Sequence, residues 1–182
     1  MILIVSASPN RDGLTADCAT AAMTAIRSAG GTVQLADLYA EGVRSCQTCG
    51  NGWGLCRRER RCFIDDCLPS LVHRFSECKS FILVTPVYWG QPSEPMQRFL
   101  GRFRRCQNAM LSDKPGAAQD KRADLIAAAG GSGNGTVTCL AEMELWCRHV
   151  GAVPLERIGV NRFNRDEMLT MIAKNAERMV KG

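Results

Sequence analysis

The feature that most constrains the fold of this chain is a regular alternation of short apolar runs with helical patterns. Each of five strand-like runs is followed by a segment whose apolar residues recur at i, i+3 and i+4. The predicted strands are Ile2–Val5, Thr32–Ala36, Phe81–Thr85, Ala123–Ala128 and Val153–Gly159. Strict β-α alternation favours parallel pairing, so the sequence predicts an α/β fold. We expect a doubly wound, five-stranded parallel sheet in the order 2-1-3-4-5, within three αβα layers.

Length and composition limit the class of protein. With 182 residues, 46% hydrophobic and 23% charged, we expect residues 1–182 to form a single domain with a cysteine-rich insertion at about residues 40–66. The Met1–Val5 run is too short for a signal peptide, and no later segment approaches the roughly twenty apolar residues of a membrane span. A cytoplasmic protein without a membrane partner is therefore expected. The net charge of +5 is mild, and we expect no nucleic-acid partner.

The first predicted strand runs directly into a hydroxyl-rich turn. Residues Ser6–Thr15 supply serine, asparagine, glycine and threonine, and a helical pattern begins at once after them. Backbone N–H groups and the positive end of a helix dipole make such a turn a phosphate site. The turn lacks both the P-loop motif and the Rossmann glycine motif. A phosphate held by hydroxyls and amides, without lysine or Mg²⁺, indicates flavin mononucleotide (FMN).

Two further loops are expected at the same edge of the sheet. Tyr88 and Trp89 follow the third predicted strand and form a flat surface against which an isoalloxazine ring could pack. The alternative is that both aromatic residues lie in the core or in a dimer interface. A glycine-rich segment follows the fourth strand, and the amides of Gly130 and Gly131 are candidates for a second support of the ring. Its alternative is a flexible loop.

Half of the ten cysteines fall in one short arginine-rich segment. They are Cys46, Cys49, Cys56, Cys62 and Cys67. In a reducing compartment a disulfide framework is not expected. The first four have a spacing that could hold a 4Fe-4S cluster or a structural zinc ion. A dithiol–disulfide pair, or thiols that bind nothing, are the other interpretations.

At this point the chain resembles the NADPH-dependent FMN reductase and iron–sulfur flavoprotein family of flavodoxin-like proteins. The resemblance rests on Ser6–Asn10 with Gly13–Thr15, Cys46–Cys49, Cys62–Asp66 and Thr85–Gly90, which occur in family order. One departure is that Gly50–Leu55 separates Cys49 from Cys56, where iron–sulfur members usually have two residues. Another is Gly101-Arg102, where the family often has Asp-Arg.

The resemblance implies a flavodoxin-like fold, non-covalent FMN and a homodimer or homotetramer with the flavin near the subunit interface. It implies phosphate contacts from Ser8, Asn10, Gly13, Leu14 and Thr15. The ring contacts that it implies come from Pro86, Val87, Tyr88, Trp89 and Gly90 and from Gly130, Gly131 and Gly133. The family's cluster ligands would correspond to Cys46, Cys49, Cys56 and Cys62.

Three functions follow as hypotheses. The first is an FMN-dependent oxidoreductase that takes hydride from NADPH or NADH and passes electrons to a small-molecule acceptor or a redox protein. The second is an electron carrier with FMN and a 4Fe-4S cluster in the 46–62 loop. The third is a non-enzymatic domain whose loop binds zinc or acts as a thiol switch. No acid–base pair is visible, and we name no catalytic residue, because the cofactor supplies the chemistry. Arg102, Arg104 and Arg105 are expected on a solvated helix face.

Overall fold

A twisted parallel sheet forms the middle layer of the computed structural model, which describes residues 1–109 and 114–182. Its strands lie in the spatial order β2-β1-β3-β5-β6, and the two-residue strand β4 pairs antiparallel with the end of β3. The bounds are β1 Ile2–Ser6, β2 Val33–Asp37, β3 Ser80–Tyr88, β4 Gln91–Pro92, β5 Arg122–Ala129 and β6 Val153–Asn161. Without β4 this is the order 2-1-3-4-5, so the predicted flavodoxin-like topology is confirmed.

Helices cover both faces of the sheet. Their bounds are α1 Leu14–Ser28, α2 Leu38–Glu41, α3 Leu55–Arg58, α4 Leu68–Glu77, α5 Glu94–Gln107, α6 Thr136–Val150 and α7 Arg165–Lys181. In β1, Leu3 and Val5 join the core beneath α4, α5 and α6, whereas Ile2 and Ile4 join the core beneath α1 and α7. Because successive side chains of a strand point to opposite faces, a strand covered on both sides must be apolar throughout. None of the described helices has the length and apolar character that crossing a membrane requires.

An aromatic cluster fixes α5 against the sheet. The ring centroids of Phe75 and Phe103 lie 4.7 Å apart, and those of Phe103 and Trp146 lie 5.4 Å apart. The indole N–H of Trp146 donates to the carbonyl oxygen of Leu100 at 2.9 Å, so the buried ring has no unpaired polar atom. This packing holds α5 in place, and α5 in turn supports the cysteine-rich loop that lies against it.

The end of β3 differs from the sequence-based expectation. That strand was expected to end at Thr85, with Tyr88 and Trp89 on a loop, but it continues to Tyr88 and turns back into β4. Pro86 stays within the strand, opposite Ala128. The turn consists of Trp89 and Gly90, whose φ angles of 53° and 80° suit a two-residue hairpin. A left-handed tryptophan is rare enough that no sequence pattern predicts this turn.

Candidate functional site

The turn between β1 and α1 presents a helix N-terminus that no side chain caps. Gly13 is the N-cap residue, and the first helical hydrogen bond runs from Asp17 N to Gly13 O at 3.0 Å. The amides of the first turn therefore have no acceptor within the helix and carry the positive end of its dipole. The Ser8 hydroxyl donates to the Asn10 carbonyl at 2.6 Å, which holds the turn in shape. Asn10 is exposed and Thr15 is buried.

A buried hydroxyl network ties this turn to the end of β3. The Ser93 hydroxyl donates to Ala7 O at 3.3 Å, and Ser93 N donates to Thr85 Oγ1 at 3.1 Å. Both side chains are fully buried. Neither Ser93 nor Thr85 was identified as a site residue from the sequence. The signal that could have indicated this network is that two hydroxyl residues, Thr85 and Ser93, flank the aromatic hairpin.

The β3–β4 hairpin and the loop after β5 are in direct contact. A Cβ added to Gly135 would lie 2.7 Å from the Gly90 Cα atom, and the φ of Gly135 is 83°. Only glycine adopts this positive φ readily and also leaves the neighbouring Gly90 backbone in place. Residues that follow two neighbouring strands are thus held together at the carboxyl edge of the sheet, as the sequence predicted. In a doubly wound sheet this edge is where ligands bind.

The surfaces at this edge suit FMN. Added Cβ atoms at Gly130 and Gly131 would meet no atom of the described residues within 4 Å apart from their chain neighbours, so the loop after β5 has open space beside its backbone. Across the hairpin, the Tyr88 side chain is 40% exposed and Trp89 is fully exposed. Gly133 has a φ of 85° and packs beside Asn161. An uncapped helix N-terminus matches the phosphate, and the open backbone with its aromatic flank matches a flat ring.

The four candidate metal-ligating cysteines also come together. Cys46, Cys49, Cys56 and Cys62 line one narrow cleft with a cavity of about 20 Å³, which is room for about one water molecule. We call this cleft the cysteine chamber. A fifth thiol, Cys106 of α5, lines it too, whereas Cys67 does not. Burial, together with the neighbouring Cys62 and Cys56 thiols, raises the pKa of Cys106 to about 12. Cys106 was not among the candidate ligands identified from the sequence.

Arginines of α5 hold the cysteine-rich loop in place, and one of them corrects the sequence analysis. Arg102, expected on a solvated face, is only 2% exposed and pairs with Asp66. Arg105 donates to the Gly52 carbonyl at 2.6 Å and lies 4.9 Å from the centroid of the Trp53 ring. Thr48 N donates to Cys46 Sγ at 3.4 Å. Within residues 1–109 and 114–182, no three His, Cys, Asp or Glu side chains converge as ligands of one metal ion.

The fold and strand order define a flavodoxin-like protein, and the turn after β1 carries an uncapped helix N-terminus. The profile of one family, the NADPH-dependent FMN reductases, matches residues 1–164, and the chain therefore belongs to that family. It is accordingly an oxidoreductase that uses FMN and NAD(P)H. This confirms the family resemblance inferred from the sequence motifs.

Solved structures with the same fold include three redox enzymes. An NAD(P)H:quinone oxidoreductase from Methanothermobacter marburgensis is 16% identical, with a TM-score of 0.78 over 98% of this chain and 96% of its own. An FMN-dependent NADH-azoreductase from Bacillus anthracis, in complex with FMN, is 15% identical, with a TM-score of 0.68 over 99% and 97%. A flavone reductase is 12% identical, with a TM-score of 0.75; the match covers 99% of this chain but only 62% of the longer enzyme. A comparison with curated protein sequences gives no match.

Proposed function

We propose that this protein reduces a small planar acceptor, such as a quinone, with electrons that NADPH or NADH delivers through FMN. The contact between Gly135 and Gly90, beside the uncapped N-terminus of α1, is the observation that carries the proposal. It holds together the two loops that we assign to the flavin ring. The structural neighbours that act on quinones and azo compounds support an aromatic acceptor.

Each part of the site has an assigned role in the proposal. FMN, when bound, would supply the redox chemistry that links nicotinamide to the acceptor. The turn after β1 binds the phosphate, the β3–β4 hairpin flanks the ring, and the loop after β5 donates amides to its polar edge. The phosphate contacts are Ser8, Asn10, Gly13, Leu14 and Thr15. The ring contacts are Pro86, Val87, Tyr88, Trp89, Gly90, Gly130, Gly131 and Gly133.

A second subunit is part of this proposal. Trp89 is fully exposed, and Val137, at the start of the helix that contacts the hairpin, is 79% exposed. Phe163, which follows β6 at the same edge, is 71% exposed. Large apolar side chains clustered near a cofactor site favour an interface. We infer a homodimer or homotetramer in which a partner covers this rim.

Steady-state turnover tests the proposed activity. The FMN-loaded protein is mixed with NADPH or NADH and a water-soluble quinone, and oxidation of the nicotinamide is followed against FMN-free protein. The proposal expects turnover that depends on both protein-bound FMN and quinone. FMN binding without reduction of quinones, azo dyes or free flavin would instead favour the non-enzymatic hypothesis.

A second candidate function is electron transfer through a 4Fe-4S cluster in the cysteine chamber. Four thiols line one cleft, but no three of the described ones converge as ligands of one metal ion, so a cluster would have to rearrange the loop around itself. The amide hydrogen bond to Cys46 Sγ and the buried arginine beside the thiols suit an anionic sulfur-rich group. Iron, zinc and acid-labile sulfide analysis of anaerobically purified protein tests it. About four irons per chain would support the cluster; iron-free protein would contradict it, and zinc alone would favour a structural site.

A further inference from the structure

The cysteine chamber is too narrow for a guest larger than about one water molecule, because its cavity measures about 20 Å³. Among residues 1–109 and 114–182, no three side chains converge as ligands of one metal ion. A bond between two of the lining thiols, by contrast, needs neither a guest nor a third ligand. The chemistry that fits the chamber as it stands is therefore that of a thiol pair.

Cys46 and Cys49 open the loop as a C-x-x-C motif, the arrangement that disulfide oxidoreductases use for their reactive dithiols. Thr48 N donates to Cys46 Sγ at 3.4 Å, so this sulfur lies beside the backbone that leads into Cys49. Thr48 and Gly50, on either side of Cys49, have left-handed φ angles of 46° and 56°. Gly52 N donates to the carbonyl oxygens of Thr48 and Cys49, both at 3.1 Å. These contacts fold the segment back on itself around the two thiols.

The two thiols differ in their access to solvent. Cys46 is exposed, whereas Cys49 is half-buried. A Cβ added to Gly54 would lie 2.5 Å from Cys49 Sγ, so this sulfur occupies the space that the glycine leaves free. A reagent from solvent therefore meets Cys46 first, and Cys49 can act only within the loop. Cys106 is a poor competitor for either step, because burial raises its pKa to about 12 and keeps the thiol protonated.

Positive charge surrounds the pair. Arg102 and Arg105 line the chamber, and no acidic side chain of the described residues lines it. Asp66 offsets the charge of Arg102, but Arg105 donates to a backbone carbonyl, which leaves its charge unneutralised. Arg57 and Arg58 are exposed on the adjoining helix α3. This balance of charge favours a reagent that is an anion.

We propose that Cys46 and Cys49 form a redox-active dithiol that reduces small anionic disulfides, independently of the quinone activity. The Cys46 sulfur, as thiolate, attacks one sulfur of the reagent, whose S–S bond breaks and releases a first thiolate. The Cys49 thiolate then attacks the Cys46 sulfur of this mixed disulfide and releases the second thiolate. The protein loses two electrons and two protons in forming the Cys46–Cys49 disulfide, and the reagent becomes two thiols.

Peptide mapping by mass spectrometry tests the pair. Wild type, Cys46→Ser, Cys49→Ser and Cys67→Ser are loaded with FMN, reduced, freed of reductant and exposed anaerobically to oxidised glutathione; bound FMN reports folding. We expect a Cys46–Cys49 disulfide in wild type, a glutathione adduct on Cys46 in Cys49→Ser, and neither product in Cys46→Ser. Cys67→Ser is the matched control, because Cys67 belongs to the same loop without lining the chamber, and it should react like wild type.

Two reagents of opposite charge test the preference for anions. Oxidised glutathione is an anion and cystamine a cation, and each rate is divided by that of the same reagent with free 2-mercaptoethanol. At low salt we expect the normalised rate with oxidised glutathione to be about tenfold higher, and the difference to shrink as salt is added. Equal normalised rates would overturn the assignment to anionic disulfides.

Three results would overturn the dithiol itself. They are a disulfide that maps to another pair, a glutathione adduct that persists in wild type, and iron or zinc held by the loop in protein purified anaerobically. If Cys46→Ser does not fold, the mapped products of wild type and Cys49→Ser decide. Quinone turnover of the same samples is measured separately, so failure of the dithiol and failure of the proposed quinone reduction are distinguishable.

Discussion

Asp124 lies in β5, only 3% exposed, and its Oδ1 atom has no hydrogen-bond partner among the described residues. Burial, with a smaller contribution from the charge of Glu156, raises the pKa of Asp124 to about 6. The folded state therefore binds this proton more tightly than the unfolded state does. The stabilisation is complete below the pKa of the unfolded chain and is lost as the pH rises through 6.

Asp124→Asn should remove the free-energy cost of burying a charged carboxylate, which the wild type has above about pH 6. We expect the variant to be more stable than wild type at pH 8 by about 2 to 3 kcal/mol, and the difference to vanish near pH 4. Urea unfolding at the two pH values measures it, with the exposed Asp12→Asn as control. A variant that is equally destabilised at both pH values would mean that Asp124 makes a favourable contact as the carboxylate.

Trp89 combines a left-handed backbone with a fully exposed side chain. Neither property stabilises the isolated chain, so Trp89→Asn should leave the unfolding free energy unchanged or raise it by about 1 kcal/mol. The kcat/KM for a quinone should fall by about tenfold, because a flat contact at the ring is lost. Trp53→Asn, at the cysteine-rich loop, is the aromatic control and should not alter quinone turnover. Unchanged turnover in Trp89→Asn would remove this residue from the site.

Individual side chains were the least predictable from the sequence. The run Arg102 to Arg105 looks like a solvated face, yet Arg102 is buried because Asp66, which is 36 residues away, supplies its carboxylate. A local sequence pattern cannot predict a partner that lies so far away along the chain. The common cleft of four loop cysteines was foreseeable because their spacing is local, whereas the position of Cys106 depends on how α5 lies under that loop.

At the scale of elements, the contact between the β3–β4 hairpin and the loop after β5 decides whether the ring has a site. Gly135→Ala should weaken FMN binding by about tenfold or more and destabilise the protein, because the new Cβ would meet the Gly90 backbone at 2.7 Å. Gly101→Ala is the matched control, since a Cβ there meets nothing within 4 Å in the middle of α5. That variant should keep its FMN affinity and gain up to about 1 kcal/mol. FMN titration and urea unfolding of both variants measure this.

Tight binding of FMN by Gly135→Ala would mean that the two loops do not form the ring site.

The positions of most helices and strands were predictable from the sequence. Strands and long helices follow from periodicity, and all five parallel strands appear within a few residues of their predicted bounds. The short helices α2 and α3 and the hairpin turn were missed, because four-residue helices and left-handed non-glycine residues leave no periodic signal.

At the scale of the whole molecule, the β-α alternation was enough to predict the sheet order. Three separate segments, at residues 6–15, 85–93 and 128–136, meet at the carboxyl edge because parallel strands end on the same side. The sequence alone predicts neither how close these three segments lie to one another nor the hydrogen bond between Ser93 and Ala7. That distance depends on strand register and twist, which emerge only when the whole sheet is assembled.

The most direct test of the account is a single-turnover experiment. FMN-loaded protein is mixed anaerobically with a small excess of NADPH, and separately NADH, while the visible flavin absorption is recorded. We predict that NADPH, NADH or both rapidly bleach the flavin absorption, and that the absorption recovers when a quinone is added. A protein that does not retain FMN, or whose bound FMN is bleached by neither nicotinamide, would contradict the proposed function.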